Sequence, residues 1–182
     1  ERFEPGNPQE GYSPSPQERQ SWLQISYMKE AYHTMGPKFT LGWMAEALYS
    51  SKNFSENYTA TMMQAGEFAP TPHSKLMYNE AFRANQYVAA GIKPIYVLND
   101  MFQFRTEFYG FTPIFPIKKN ALNKAYYGKA FSRFEYMGEV SVICHLPFGA
   151  ISAYVNHYSS PRREWNVGMT IGWQLFNYRF VE

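Results

Sequence analysis

Hydrophobic and polar residues alternate with period two along most of the chain, which predicts β-strands. The alternation is clearest in the last segment, Trp165 to Asn177, where large apolar residues occupy one face and small or neutral polar residues occupy the other. The apolar face consists of Trp165, Val167, Met169, Ile171, Trp173 and Leu175, and the polar face of Asn166, Gly168, Thr170, Gly172 and Gln174. This pattern predicts a strand whose two faces meet different surroundings.

Four further segments alternate as cleanly, and they are Phe39 to Ser50, Phe102 to Tyr109, Gly138 to Leu146 and Ile151 to Asn156. The run Pro147-Phe148-Gly149 predicts a turn that joins the last two into a hairpin. In the segment Phe102 to Tyr109, Arg105 and Glu107 lie on the face opposite Phe104. That charged face must meet water or paired charges.

Weaker strand patterns lie between these segments, at Trp22 to Tyr32, Tyr58 to Met63, Leu76 to Ala90, Ile92 to Leu98 and Ala130 to Met137. Pro94 is predicted to confine its strand to an irregular or terminal position. No stretch has a convincing helical period. The expected fold is all-β, an antiparallel meander of about 8–10 strands, forming an outer-membrane-type β-barrel. Residues 1–19 are expected to be a Pro/Gly/Ser-rich linker or loop, and residues 20–182 the β-barrel domain.

The composition of the faces favours lipid over a soluble core. The 182 residues are 45% hydrophobic, 19% aromatic and only 18% charged. Trp165 and Trp173 are eight residues apart, about 26 Å of strand, which tilt reduces to roughly 20 Å, near the aromatic-bounded band of outer-membrane barrels. The candidate lipid-facing or interface residues are Trp43, Tyr49, Phe102, Phe104, Phe108, Trp165 and Trp173. The chain has no apolar run near 18 residues, so the sequence predicts no transmembrane helix.

The sequence contains none of the common catalytic motifs. Gly-x-Ser-x-Gly, a phosphate-binding glycine loop, Cys-x-x-Cys and His-Glu-x-x-His are all missing from it. We therefore expect no catalytic residue, cofactor site or metal site in this chain. His145 and His157 flank one hairpin and could meet across it, but two histidines make an incomplete metal site. Cys144, the single cysteine, continues the apolar face of Val140 and Val142 and is interpreted as a wall residue.

Charged residues add two expectations. Arg105 with Glu107, and Arg133 with Glu135, are spaced to pair within an interior. The net charge of +2 is too small to favour nucleic acid. The basic clusters Lys118-Lys119 and Arg162-Arg163 are most simply solvated loops, and Arg162 and Arg163 are also the candidate contacts to lipid phosphates.

Several stretches of the sequence carry a resemblance to a known family, and they are Phe39-Thr-Leu-Gly-Trp-Met-Ala-Glu-Ala, Asn57-Tyr-Thr-Ala-Thr, Phe68-Ala-Pro-Thr-Pro, Ala84-Asn-Gln-Tyr-Val-Ala-Ala-Gly-Ile-Lys-Pro, the Gly149 to Asn156 hairpin and the Trp165 to Asn177 strand. Together they resemble the C-terminal region of bacterial, Bacteroidetes-type patatin-like phospholipases. The resemblance covers roughly residues 20–182. It implies an Omp85-related barrel in the bacterial outer membrane, larger than 8–10 strands, of which this chain is the C-terminal part. It also implies contact with outer-membrane lipids and a covalent link to an upstream patatin domain that hydrolyses lipid esters. The family's catalytic serine and aspartate belong to that upstream domain, so the resemblance implies a non-catalytic chain.

Two other functions fit the same patterns. A soluble β-barrel could bind a lipid or other apolar ligand in its interior. A surface adhesin-like domain could bind glycans through exposed aromatic side chains.

Overall fold

The computed structural model describes residues 21–55, 57–160 and 165–173, and these residues fold mainly as antiparallel β-structure. In chain order the strands are β1 (Gln24–Thr34), β2 (Phe39–Ser50), β3 (Gly66–Glu67), β4 (Arg83–Ala84), β5 (Gln86–Val97), β6 (Phe102–Pro113), β7 (Ile117–Lys119), β8 (Ala125–Tyr127), β9 (Glu135–Leu146), β10 (Gly149–Tyr158) and β11 (Trp165–Trp173). Seven of them form one sheet in the order β1-β2-β5-β6-β9-β10-β11, and β3-β4 and β7-β8 form two small ribbons. The predicted all-β antiparallel meander is confirmed.

As far as they are described, the clean period-two segments lie within strands of this sheet. The predicted strand Phe39 to Ser50 coincides with β2, and Leu146 pairs with Gly149 across the predicted hairpin turn. The last strand is described as Trp165–Trp173, so the predicted continuation to Asn177 lies outside the described residues, as does the predicted linker 1–19. Strong alternation therefore identified real strands.

The weaker patterns were partly wrong. Residues Tyr58 to Met63 belong to a helix, α1 (Tyr58–Gln64), which begins where the Asn57 side chain accepts a hydrogen bond from the Ala60 N–H at 2.8 Å. A helix of two turns is too short for its period to stand out. Of Leu76 to Ala90, the strand portions are only β4 and the start of β5, and 3₁₀ turns occupy Ser74–Leu76 and Glu80–Phe82. Of Ala130 to Met137, only the part from Glu135 is strand.

Pro94 was predicted at an irregular or terminal position of its strand, and the irregular position is confirmed, although Pro94 lies inside β5, a central strand between β2 and β6. It pairs with Leu41 on β2. On the β6 side, Ile92 pairs with Phe108 and Ile95 with Arg105, and the pairing lapses between them. The sheet accommodates the missing N–H by a local break in one ladder rather than by ending the strand.

The connection from β2 to β5 folds back over one face of the sheet, and we name residues 57–85 the cap. Phe68 of the cap contacts the rings of Tyr87, Tyr109 and Phe111, with its centroid 5.8 Å from that of Phe111. These residues and Phe82 belong to the main cluster of buried apolar side chains. The core thus lies between the cap and one end of the sheet.

The two ends of the sheet are unequal. Strands β1–β2, β5–β6 and β9–β10 are joined by the short segments 35–38, 98–101 and 147–148, all at what we name the turn end. The strand ends that flank the connections 51–85, 114–134 and 159–164 lie at the opposite end, the loop end. The cap and the β7-β8 hairpin both belong to the loop end.

Candidate membrane interface

Large apolar side chains are exposed on one face of the sheet, which we name the outer face. On six strands these side chains are Tyr49 of β2, Val88, Ile92 and Tyr96 of β5, Phe102, Phe104 and Phe108 of β6, Val140 and Val142 of β9, Val155 of β10, and Trp165, Val167, Met169 and Ile171 of β11. Within their described ranges, these six strands place no Asp, Glu, Lys or Arg on the outer face. A continuous apolar surface of this extent marks a site of contact with another apolar phase.

By their register positions, six of the seven predicted interface residues form two groups on the outer face, and the seventh, Tyr49, lies apart from both. The strand register places Trp43, Phe108 and Trp165 in one row, through the pairs Trp43–Ile92, Ile92–Phe108, Phe108–Gly138, Gly138–His157 and His157–Trp165. Phe102 and Phe104 lie nearer the turn end, where the backbone of Trp173 pairs with Gly149. Tyr49 lies on β2 beyond the first row, towards the loop end. On β6 the two groups are separated by six residues from Phe102 to Phe108, about 20 Å of strand.

The opposite, inner face carries the charges of these strands. Glu107 and Glu139 are only 4% and 3% exposed, and they pair directly across β6 and β9. The Nε of Arg105 lies 2.8 Å from a Glu107 carboxylate oxygen, and the Tyr109 hydroxyl donates to the other. Lys93 forms an ion pair with Glu30 of β1. On these six strands the charged face is therefore largely buried and the apolar face exposed, whereas β1 places the exposed Lys29 on the outer face.

The inner face continues this polarity across β10. Asn156 is buried and pairs in register with Glu139, and Asn166 of β11 pairs with Asn156. One Glu139 oxygen and both amide atoms of Asn156 lack a hydrogen bond of good geometry. Side chains of this kind require a polar, solvated or ion-paired interior.

The sequence predictions about charged and histidine side chains have mixed outcomes. Arg105 pairs with Glu107, and the Arg133 Nε lies 2.9 Å from a Glu135 oxygen, so both predicted ion pairs are confirmed. His145 and His157 do not meet. The Nε2 of His145 lies 3.2 Å from Gln103 Oε1, whereas His157 packs between the rings of Tyr136 and Trp165 on the outer face. His145 lies on the inner face of β9 and pairs with Ala150 near the start of β10, whereas His157 lies on the outer face near the end of β10.

Other predicted positions are placed more simply. Cys144 lies half-buried on the outer face, paired with Phe102 and Ile151. Arg162 and Arg163, the predicted lipid-phosphate contacts, lie outside the described residues. No three His, Cys, Asp or Glu side chains of the described part of the chain are grouped as metal ligands would be.

Sequence reasoning missed the contact between the cap and the inner face. His73 Nδ1 lies 2.9 Å from the Tyr158 hydroxyl, and its ring contacts Tyr154. Burial lowers the pKa of His73, because the charged imidazolium loses hydration there. The only signal in the sequence was Phe68, a large apolar residue at the start of a proline-rich loop.

Among the residues described, no helix combines the length and apolar character needed to cross a membrane. Comparison of the chain with known protein families, with curated proteins and with solved structures found no match.

Proposed function

We propose that this chain is a non-catalytic β-barrel domain of the bacterial outer membrane, with its outer face in contact with lipid. The observation that carries the proposal is the inverted polarity of the sheet. The exposed side of β6 is Phe102, Phe104 and Phe108, while its buried side holds Arg105 and Glu107. Transmembrane barrels have this arrangement, with apolar residues facing lipid and polar residues facing the lumen.

Energetics give the proposal its physical basis. Each square ångström of apolar surface moved out of water contributes about 25 cal/mol, so the exposed outer face is a large unfavourable term in water. The same surface costs nothing against hydrocarbon. Buried charges on the inner face are acceptable where they pair, as Arg105 and Lys93 do, and where lumen water reaches the remainder.

The unequal ends of the sheet give further support. Outer-membrane barrels join their strands by short turns on one side of the membrane and by longer loops on the other. The connections 35–38, 98–101 and 147–148 alternate here with 51–85, 114–134 and 159–164 in that way. Strands β1 and β11 are the edges of the described sheet, and we propose that further strands of the barrel pair with them.

The finer part of the proposal concerns the role of the barrel. We propose that it anchors a patatin-like lipid hydrolase, and assists in placing that enzyme across the membrane, with catalysis assigned to an upstream domain. The support for this part is the sequence resemblance alone. A soluble barrel with an apolar ligand inside would need an apolar inner lining, which the row containing Glu107, Glu139 and Asn156 does not provide. A glycan-binding domain would need polar side chains among its exposed aromatics, and the outer face of β6 offers only Thr106 and Thr112 beside its phenylalanines.

A charged substitution on the outer face tests the lipid contact. Val140 lies on a central strand, 41% exposed, in the row between Phe104 and Phe108. In phospholipid vesicles, Val140→Arg is expected to lower the free energy of unfolding by about 2–4 kcal/mol, the cost of arginine near a bilayer midplane. Reversible guanidinium unfolding of the full chain in vesicles provides the measurement.

Leu76→Arg is the matched control, because Leu76 is 85% exposed in the cap and away from the outer face. It should change stability by no more than about 0.5 kcal/mol. Equal, small effects of both substitutions, together with a monodisperse chain in water without detergent, would overturn the membrane proposal. Saturable sugar binding by such a water-soluble chain would favour the glycan-binding function instead.

A further inference from the structure

The connection from β6 to β9, residues 114–134, is strongly cationic. It contains Lys118, Lys119, Lys124, Lys129 and Arg133 and no Asp or Glu, although the whole chain has a net charge of only +2. Arg133 is paired with Glu135. The four lysines are exposed and take part in no ion pair among the described residues. We name this segment, which contains β7 and β8, the lysine hairpin.

Apolar burial and backbone hydrogen bonds support the fold of the lysine hairpin, and the carbon stem of Lys118 packs on Gly128. Ile117 is buried against Met62 and Ala65 of the cap. The Asn120 side chain accepts hydrogen bonds from the backbone N–H groups of Leu122 at 3.0 Å and Lys124 at 2.8 Å. The four ammonium groups therefore project from a supported turn without a structural partner of their own.

Exposed aromatic side chains accompany the lysines. Phe131 is 62% exposed and has a φ of 50°, a left-handed conformation that bulky residues rarely adopt. Its N–H donates to the Ile114 carbonyl at 2.9 Å, which holds it in that conformation. A bulky side chain kept exposed in an unfavourable conformation indicates a use on the surface rather than in the core.

The lysine hairpin is continuous with the outer face. Phe134 lies over Gly110 of β6, so that a Cβ on Gly110 would come within 3.0 Å of the Phe134 ring. Gly110 is on the outer face, two residues beyond Phe108 towards the loop end. The lysine hairpin therefore adjoins the loop-end edge of the apolar outer face. If the outer face contacts hydrocarbon, the lipid head groups lie at this edge.

We propose that the lysine hairpin binds the phosphate groups of anionic lipids, with Phe131 and Phe134 at the boundary of the hydrocarbon. The charges are complementary, the lysine stems are long enough to extend along an apolar surface, and aromatic side chains favour this boundary. The inference rests on the proposed membrane function and assigns a lipid class to it. It also replaces the interpretation of Lys118 and Lys119 as a merely solvated loop.

A lipid titration of the full chain in uncharged detergent micelles tests the inference. Dioleoylphosphatidylglycerol should raise the midpoint of thermal unfolding in a saturable way, and zwitterionic dioleoylphosphatidylcholine should not. The quadruple variant Lys118→Gln, Lys119→Gln, Lys124→Gln, Lys129→Gln should bind phosphatidylglycerol at least about tenfold more weakly, whereas changing the same four positions to Arg should retain binding.

The matched control changes Lys29, Lys38, Lys52 and Lys75 to Gln, which removes the same charge from other parts of the chain. It should keep the affinity for phosphatidylglycerol within about threefold of the wild type. If the glutamine hairpin variant fails to fold, the two double variants Lys118→Gln, Lys119→Gln and Lys124→Gln, Lys129→Gln should each give an intermediate loss.

Equal responses to the two lipids, or equal losses in the two quadruple variants, would overturn the inference. The Val140→Arg experiment separates this failure from failure of the membrane proposal. If Val140→Arg is costly in vesicles and phosphatidylglycerol has no selective effect, only the lipid class is wrong. If the chain is monodisperse in water without detergent, both proposals are wrong.

Discussion

Tyrosine rings cover three glycines of the inner face. The pairs are Tyr32–Gly42, Tyr109–Gly91 and Tyr154–Gly168, and in each the two residues are direct partners on neighbouring strands. A Cβ at Gly42, for example, would come within 2.7 Å of the Tyr32 ring. Each tyrosine ring can lie over its partner because glycine has no Cβ with which the ring would overlap. Gly42 and Gly168, two of the small residues on the polar sides of the predicted strands, are thus explained by the rings that pack on them.

Gly91→Ala should be destabilising, because the new methyl group would overlap the Tyr109 ring and lie 2.7 Å from the Phe108 carbonyl oxygen. The ring is fully buried beneath the cap and the carbonyl belongs to the backbone, so neither can move freely. We expect a loss of about 1–3 kcal/mol in the free energy of unfolding, measured with guanidinium in micelles.

Gly138→Ala is the matched control on β9, which β6 separates from β5. A Cβ there has ordinary contacts, the nearest at 3.6 Å from the Glu107 carbonyl oxygen. Alanine in a strand is slightly better than glycine, so this variant should be neutral or up to about 1 kcal/mol more stable. Loss of similar stability in both variants would show that the tyrosine packing is not the cause.

Among the elements, the strands were more predictable than the cap. Period two arises from residues next to one another, so β2 was predicted with its observed bounds. The cap is held by Phe68 and Phe82 against Tyr87, Tyr109 and Phe111, contacts that no local pattern records. For the same reason α1, whose Met62 packs on Ile117 from a distant hairpin, was predicted as a strand.

The attachment of the cap should weaken in mild acid through His73. Burial lowers its pKa in the folded chain, whereas the unfolded chain takes up the proton near the ordinary value of about 6.5. The unfolded state therefore binds more protons as the pH falls. The stabilising contribution of neutral His73 is complete above about pH 6.5 and is lost as the pH falls from there towards the lowered, folded-state pKa.

The measurement compares the wild type with His73→Gln at pH 7.5 and pH 5.5 by guanidinium unfolding. The difference in unfolding free energy between the two proteins should shrink at the lower pH, because only the wild type carries the titrating ring. Lys75→Gln, an exposed change two residues away in the cap, should show the same difference from wild type at both pH values. An unchanged His73→Gln difference would exclude this histidine as the cause.

For the whole molecule, alternation predicted two unlike faces but could not say which one is buried. Two sequence features favoured an exposed apolar face, namely the uncharged polar side of the last strand and the spacing of Trp165 and Trp173. The observed burial shows that the apolar face is the exposed one, because Trp165 and Val167 are 71% and 80% exposed while Glu107 and Glu139 are buried. The alignment of Trp43, Phe108 and Trp165 in one row follows from the strand register. That register depends on strand pairings that could not be derived from the sequence alone.

The single cysteine allows the surroundings of the outer face to be tested on the native chain. Cys144 lies on that face between Phe102 and Ile151. In vesicles, hydrocarbon should keep a charged, membrane-impermeant maleimide away from its thiol. The double variant Cys144→Ser, Leu76→Cys moves the thiol to a highly exposed position in the cap.

We expect Cys144 in vesicles to react at least about tenfold more slowly than this relocated thiol, and both to react alike once the chain is unfolded in denaturant. Removing lipid with detergent should raise the rate at Cys144 only slightly, since micelles cover the same surface. A Cys144 that reacts as fast in vesicles as the relocated thiol would place this face in water, and the exposed apolar surface would then need a protein partner rather than lipid to cover it.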